Sequence, residues 1–118
     1  MEKIIRMESE EHWGRPVYFC TDDGCGTIKC IYDKKWPDTC ELSDLMVHPS
    51  KRRQGYATAL MQAAEKDARS ECCMYLRLWV SDTATWKIQW YERLGFRELI
   101  PNHKPKYPII WMEKELKY

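Results

Sequence analysis

Apolar and polar positions along the chain change period several times, and each change marks an element. Residues 3–8 predict a short strand. Residues 17–21 and 27–32 are β-rich runs joined by Asp22-Asp23-Gly24-Cys25-Gly26. The Asp-Gly chemistry of that connection predicts an antiparallel hairpin. A polar connection over 33–38 with a proline break follows. The next apolar run begins near Cys40, continues through residues 42–47 and stops at His48-Pro49-Ser50, because proline lacks an N–H and fixes its own φ. From Ala57 the period lengthens, and Ala57, Leu60, Met61, Ala64 and Ala68 fall on one face of a helix. Residues 74–81 return to strand alternation, with Met74, Leu76, Leu78 and Val80 set against Tyr75, Arg77 and Trp79. Ser81-Asp82-Thr83 offers capping side chains for a second helix reaching about Leu94, carrying Trp86, Trp90 and Leu94 one turn apart and closed by Gly95. Strands are expected over 96–100 and 109–116, with a loop over 101–108.

These elements make an α+β layer fold, a mixed sheet with two main helices, in which the strand–helix–strand unit 41–80 is a parallel, right-handed crossover. The 118 residues are expected to form one domain, 1–118, with a single core. Apolar content of 44% with abundant Trp and Tyr argues against disorder. A net charge of +1 gives no reason to expect nucleic acid or an anionic membrane as partner. No apolar run approaches the ~20 residues that span a bilayer, and the opening MEKIIRMESEEHW has no signal-peptide core, so a cytoplasmic location is expected. The six cysteines contain no C-x-x-C pair, which leaves the usual zinc half-site missing. Reduced thiols, mostly buried as small hydrophobes, are expected, and no metal. An exposed edge strand is compatible with a homodimer.

The most informative stretch joins the strand ending at Val47 to the helix beginning near Ala57. Lys51-Arg52-Arg53-Gln54-Gly55-Tyr56-Ala57 is a cationic turn without bulk at Gly55 and Ala57. A helix start has N–H groups with no intrahelical partner, and the macrodipole makes that end partly positive. Gly55 removes a Cβ where a ligand oxygen would touch backbone. Arg52 and Arg53 add charge that persists at neutral pH. The arrangement suits a phosphate. An ordinary connection with solvated basic residues has the same local pattern.

Arg52-Arg53-Gln54-Gly55-Tyr56-Ala57 fits (Gln/Arg)-x-x-Gly-x-(Gly/Ala), and the chain resembles the GCN5-related N-acetyltransferases, in which this turn binds the pyrophosphate of acetyl-coenzyme A. Trp90-Tyr91-Glu92-Arg93-Leu94-Gly95-Phe96 resembles that family's second signature. The resemblance covers roughly residues 17–116. It implies a mostly antiparallel sheet whose central parallel strands splay apart, with pantetheine lying against the backbone of Leu45, Met46 and Val47. It further implies coenzyme contacts at Arg52, Arg53, Gln54, Gly55, Tyr56, Ala57 and Thr58. Acetyl-coenzyme A is then the co-substrate, and the acceptor is a primary amine on a small molecule or peptide.

The resemblance also suggests Tyr91 as the general acid for the departing thiolate and Glu41 as a base for the amine, with Ser43 and Asp44 shaping the acceptor pocket. A core tyrosine and a solvated strand-start carboxylate are the plainer readings of the same residues. His48 reads as a turn residue and His103 as part of a solvated loop. The chain departs from the family in two places. Members usually carry two helices between the first two strands, where this sequence has only a short connection, so an acceptor side that is more open, or completed by a second subunit, is expected. Members often have Asn where this chain has Ala84, with Asp82, Thr83 or Thr85 as replacements. These departures favour a second possibility, a coenzyme-binding or interaction module with little catalysis.

Overall fold

A computed structural model describes residues 1–99 and 108–118. The strands are β1 (Ile4–Glu8), β2 (Gly14–Thr21), β3 (Gly26–Asp33), β4 (Thr39–Val47), β5 (Tyr75–Ser81), β6 (Arg97–Glu98) and β7 (Ile109–Glu115). The helices are α1 (Tyr56–Ser70), between β4 and β5, and α2 (Thr85–Arg93), between β5 and β6. One seven-stranded sheet runs in the order β1-β2-β3-β4-β5-β7-β6. Its only parallel neighbours among the described strands are β4 and β5, as the α1 crossover requires.

The Asp-Gly connection makes the expected hairpin, pairing Val17 with Cys30 and Phe19 with Ile28. The β1–β2 connection is short as well, and β1 lies antiparallel to β2 with Ile4 opposite Thr21. Strand alternation decides what is buried. On β3 the side chains of Ile28, Cys30 and Tyr32 are buried while Lys29 and Ile31 are not; on β5 Leu76, Leu78 and Val80 are buried while Arg77 and Trp79 are not. The ladders set these residues side by side: Cys30 beside Leu42, Cys40 beside Leu76, Leu78 beside Met112. They form one core with Leu60, Met61, Ala64 and Ala68 of α1 and Tyr91 of α2. Both helices therefore cover the same face of the sheet, and no described helix covers the other.

Three expectations change. The buried stripe of α1 begins at Tyr56 rather than Ala57, which is only partly buried. The helix starts one residue earlier, and Tyr56, one turn before Leu60, extends the same face, while Leu60, Met61, Ala64 and Ala68 are buried as expected. Ser81, Asp82 and Thr83 do not cap α2: its N-cap is Ala84, with no side-chain bond to the helix. The Ser81 and Thr83 hydroxyls instead bond each other at 2.9 Å. The strand expected over 96–100 is reduced to Arg97–Glu98, with Gly95 at φ 100° after α2 as expected. Ile100 and most of the expected 101–108 loop, His103 included, lie outside the described residues.

Candidate coenzyme and acceptor site

Two local features open the sheet at its centre. First, β4 and β5 pair only at Thr39–Tyr75, Cys40–Leu76 and Glu41–Arg77. Beyond that point β4 continues on β3, and β5 continues on β7 through Ser81 opposite Ile109. The facing edges of Leu42–Val47 and Leu78–Ser81 thus have no ladder partner, and buried or half-buried backbone groups of this kind need an acceptor or donor from elsewhere. Second, the β3–β4 ladder passes from Thr27–Met46 to Lys29–Ser43, one residue more on β4 than on β3. Asp44 takes up that extra residue with φ 55°, a β-bulge that bends the strand at the gap. The splay follows the resemblance; the bulge was not foreseen, although Asp is among the residues that tolerate this conformation best.

At the end of β4, Pro49–Lys51 forms a 3-10 turn. His48 is its cap: Nδ1 accepts from the Ser50 amide at 3.2 Å and meets the Ser50 hydroxyl at 2.8 Å, which gives the imidazole a structural duty. The turn then passes through Arg53 at φ 62° and Gly55 at φ 84°, and Gly55 is the N-cap of α1. No side chain caps α1, and no acid lies in its first turn. Gly55 O already accepts from Ala59 N at 3.0 Å, so the amides of Tyr56, Ala57 and Thr58 are the free donors of the helix start. A Cβ on Gly55 would meet no atom within 4 Å; the space above the cap is open to a ligand. Arg52 Nε donates to Val47 O at 3.3 Å and Gln54 Nε2 to Ser50 O at 3.1 Å, bonds that hold the turn. Among the described ion pairs none involves Arg52 or Arg53.

Tyr56 has a different part from its neighbours. Its ring is buried and its hydroxyl donates to the Asp23 carboxylate on the β2–β3 turn. That bond holds the Asp23 carboxyl well below the usual range, helped by Thr21 and the Cys25 amide, and pushes the Tyr56 hydroxyl up to about 12. The side chain anchors the helix start to the hairpin, and only its backbone amide faces the open cap. Gly26 permits this close seating, since a Cβ there would lie 3.1 Å from Leu60 Cδ1 and 3.3 Å from Tyr56 Cδ2.

Tyr91 and Glu41 belong to opposite sides of the sheet. Tyr91 lies in the core under α2, edge-on to Phe96 with ring centroids 5.6 Å apart. Burial pushes its hydroxyl above the usual tyrosine range, and no described residue bonds it. Glu41 is half-buried on the uncovered face, beside Arg77. Desolvation and then Asp33 raise its carboxyl above the usual range, with Lys29 opposing. Leu45 and Val47 pack partly against the core, whereas Met46 is 65% exposed.

Elsewhere, a cavity of about 260 Å³ lies at the far end of the sheet, lined by Arg15, Tyr32, Trp36, Glu71 and Cys73 among others, and by none of the expected site residues. Cys30, Cys40 and Cys73 are buried thiols, and the neighbouring Cys30 raises that of Cys40 further than burial alone. No described helix is long and apolar enough to cross a membrane.

Comparison with known proteins agrees with this geometry. An uncharacterized N-acetyltransferase of Methanocaldococcus jannaschii is 33% identical over 85 residues, 72% of this chain; the chain spans only 36% of that relative's length. An acetyltransferase of Streptococcus agalactiae superposes with a TM-score of 0.71 at 15% identity, over 86% of this chain and 67% of the other. The PaiA N-acetyltransferase of Thermoplasma acidophilum, solved in complex with coenzyme A, superposes with a TM-score of 0.69 at 20% identity, over 86% of this chain and 60% of the other. The profile of the acetyltransferase (GNAT) family matches residues 2–96, and the chain belongs to that family.

Proposed function

We propose that the chain is an acetyl-coenzyme A-dependent N-acetyltransferase acting on a primary amine. The observation that carries this reading is the open α1 cap, with free amides at Tyr56, Ala57 and Thr58 under Gly55, beside a β4 edge released from β5. The donor set fits a diphosphate: backbone N–H groups at a helix N-terminus, Arg52 and Arg53 nearby, and no acid in the first turn. The released backbone of Leu45, Met46 and Val47 suits the amide groups of an extended pantetheine arm, which would add to β4 as a strand adds to a sheet edge.

The bound co-substrate supplies an activated acyl group as a thioester. The protein's own part is proton traffic and placement. Glu41, on the uncovered face, takes the proton that an amine must lose, and its raised pKa brings it nearer the working range of a base. Tyr91, under α2, holds a proton at Oη for the departing thiolate; burial keeps that oxygen protonated at neutral pH. Acid and base thus serve the gap from its two sides, the arrangement that direct attack across a thioester calls for.

Thermal unfolding with acetyl-coenzyme A tests the reading. A native-only ligand at ~100-fold above its dissociation constant adds about 2.7 kcal/mol, several degrees for a domain of this size. The shift is expected in the wild type and absent in an Arg53→Ala, Gly55→Glu variant. No shift at millimolar coenzyme would overturn it.

A further inference from the structure

The stretch from His48 to Gly55 carries the proposed diphosphate site from β4 to α1, and both of its ends are tied to one short turn. At its start, His48 N donates to Cys25 O at 2.7 Å, just after Val47 pairs with Gly26. At its finish, Tyr56 Oη donates to Asp23 Oδ2. Asp23 and Cys25 both belong to the turn between β2 and β3. That turn is braced from within. Asp23 Oδ1 accepts from Thr21 Oγ1 at 2.7 Å and from the Cys25 amide at 3.0 Å. Thr21 is buried, and its Oγ1 accepts from Gly26 N at 2.9 Å. The amino group of Met1 adds a contact of 3.1 Å to Tyr56 Oη. One carboxylate thus joins the hairpin turn to the first residue of α1.

Packing leaves the stretch in need of such a tie. Every residue from Ser43 to Gly55 is at least partly exposed, and Tyr56 is the first buried one after Leu42. Arg53 sits at φ 62°, a conformation that a non-glycine residue keeps only where its surroundings dictate it. With no side-chain cap on α1, the place of its first amides depends on how Tyr56 is held. A site that is in place only part of the time binds its ligand more weakly by that fraction. We infer that Asp23 is a positioning residue for the co-substrate: acting through Tyr56, it holds the α1 cap where the diphosphate meets it. The inference rests on the coenzyme reading of that cap and adds to it a residue outside both sequence motifs.

The test is titration calorimetry of acetyl-coenzyme A into the full chain, with urea unfolding of each variant alongside. Tyr56→Phe keeps the ring that packs over Gly26 and removes the hydroxyl. It is expected to raise Kd about tenfold or more, the scale of a lost bond to a charged acceptor. Asp23→Ala added to Tyr56→Phe should weaken binding no further, because the two changes remove the same bond. Asp67→Ala and the milder Glu71→Ala loosen the far end of α1 instead. They should lower resistance to urea while leaving Kd unchanged, whereas a purely structural role for Asp23 and Tyr56 would make Kd follow stability across all the variants. An unchanged Kd for Tyr56→Phe would overturn the inference. A further loss of affinity in the double variant would do so as well, as would a loss in Asp67→Ala or Glu71→Ala equal to that of Tyr56→Phe. Failure of the wild type to bind acetyl-coenzyme A would instead bring down the coenzyme reading, and the inference with it.

Discussion

Gly55 illustrates how one residue sets up a site: its left-handed φ of 84° is open to glycine at no steric cost, and the missing Cβ leaves the α1 cap bare. Tyr91 and Glu41 gain their proposed roles from surroundings rather than identity. Tyr91→Phe is expected to lower turnover ~10- to 1,000-fold, the usual scale of a general acid, while acetyl-coenzyme A still raises the unfolding temperature. Because burial raises the Tyr91 hydroxyl above its ordinary value of about 10, its ionisation should leave kcat untouched until the pH exceeds ~10. For Glu41 the sign runs the other way from a salt-bridged acid. A raised carboxyl holds its proton more tightly in the folded state than in the unfolded one, so its contribution is present at low pH and lost as pH rises through the raised pKa. Glu41→Gln should therefore gain stability relative to wild type as the pH rises above the ordinary glutamate value of ~4.3, and keep that gain at neutral pH, in urea titrations, with kcat/KM reduced at neutral pH.

Among the elements, β4 carries the most consequence. It is held to β3 throughout, to β5 only as far as Glu41, and bent at Asp44. A non-glycine residue at φ 55° costs about 1 kcal/mol or more that glycine avoids. Asp44→Gly is expected to stabilise the chain by about that amount in chemical denaturation and Asp44→Val to destabilise it, both leaving the far-UV spectrum unchanged. Sequence periodicity could not show the bulge, because β4 reads as one apolar-rich run whether or not β3 matches it residue for residue. The missing cap on α2 has a similar cause. Ser81, Asp82 and Thr83 all carry the right chemistry, yet the Ser81 and Thr83 hydroxyls satisfy one another and the helix starts beyond them.

At the scale of the molecule, α1 is fastened to the N-terminal strands by polar ties that no sequence motif announces. Asp67 accepts from Tyr32 Oη at 2.6 Å and from Arg6 Nε at 2.7 Å, and Glu71 accepts from Arg15 at 2.6 Å. Tyr32 is buried, so removing its partner strands a hydroxyl in the core. Asp67→Ala is expected to cost about 2 kcal/mol or more in equilibrium urea unfolding, the scale of a charge-assisted bond plus an orphaned donor. These ties hold the far end of α1 while Tyr56 and Asp23 hold its start, and together they fix the helix whose cap is the coenzyme site.

The sequence by itself determined the element order, the hairpin and the glycine-bearing helix start, because period, turn chemistry and helix-end requirements are local. It also carried the family, through two motifs whose spacing within each element matters more than the rest of the chain. It could place Trp79 on the polar side of β5 but could not seat Trp111 beside it, since register between strands distant in sequence is settled only by packing. Tertiary structure alone decided that Tyr56 is an anchor, that the expected splay of β4 from β5 begins just after Glu41, and that both helices crowd one face. The last of these leaves the opposite face without a described helix: residues of α1 and α2 share one core on the same side of the sheet, and which side a connecting helix takes is settled by packing between elements distant in sequence, not by a local pattern of residues.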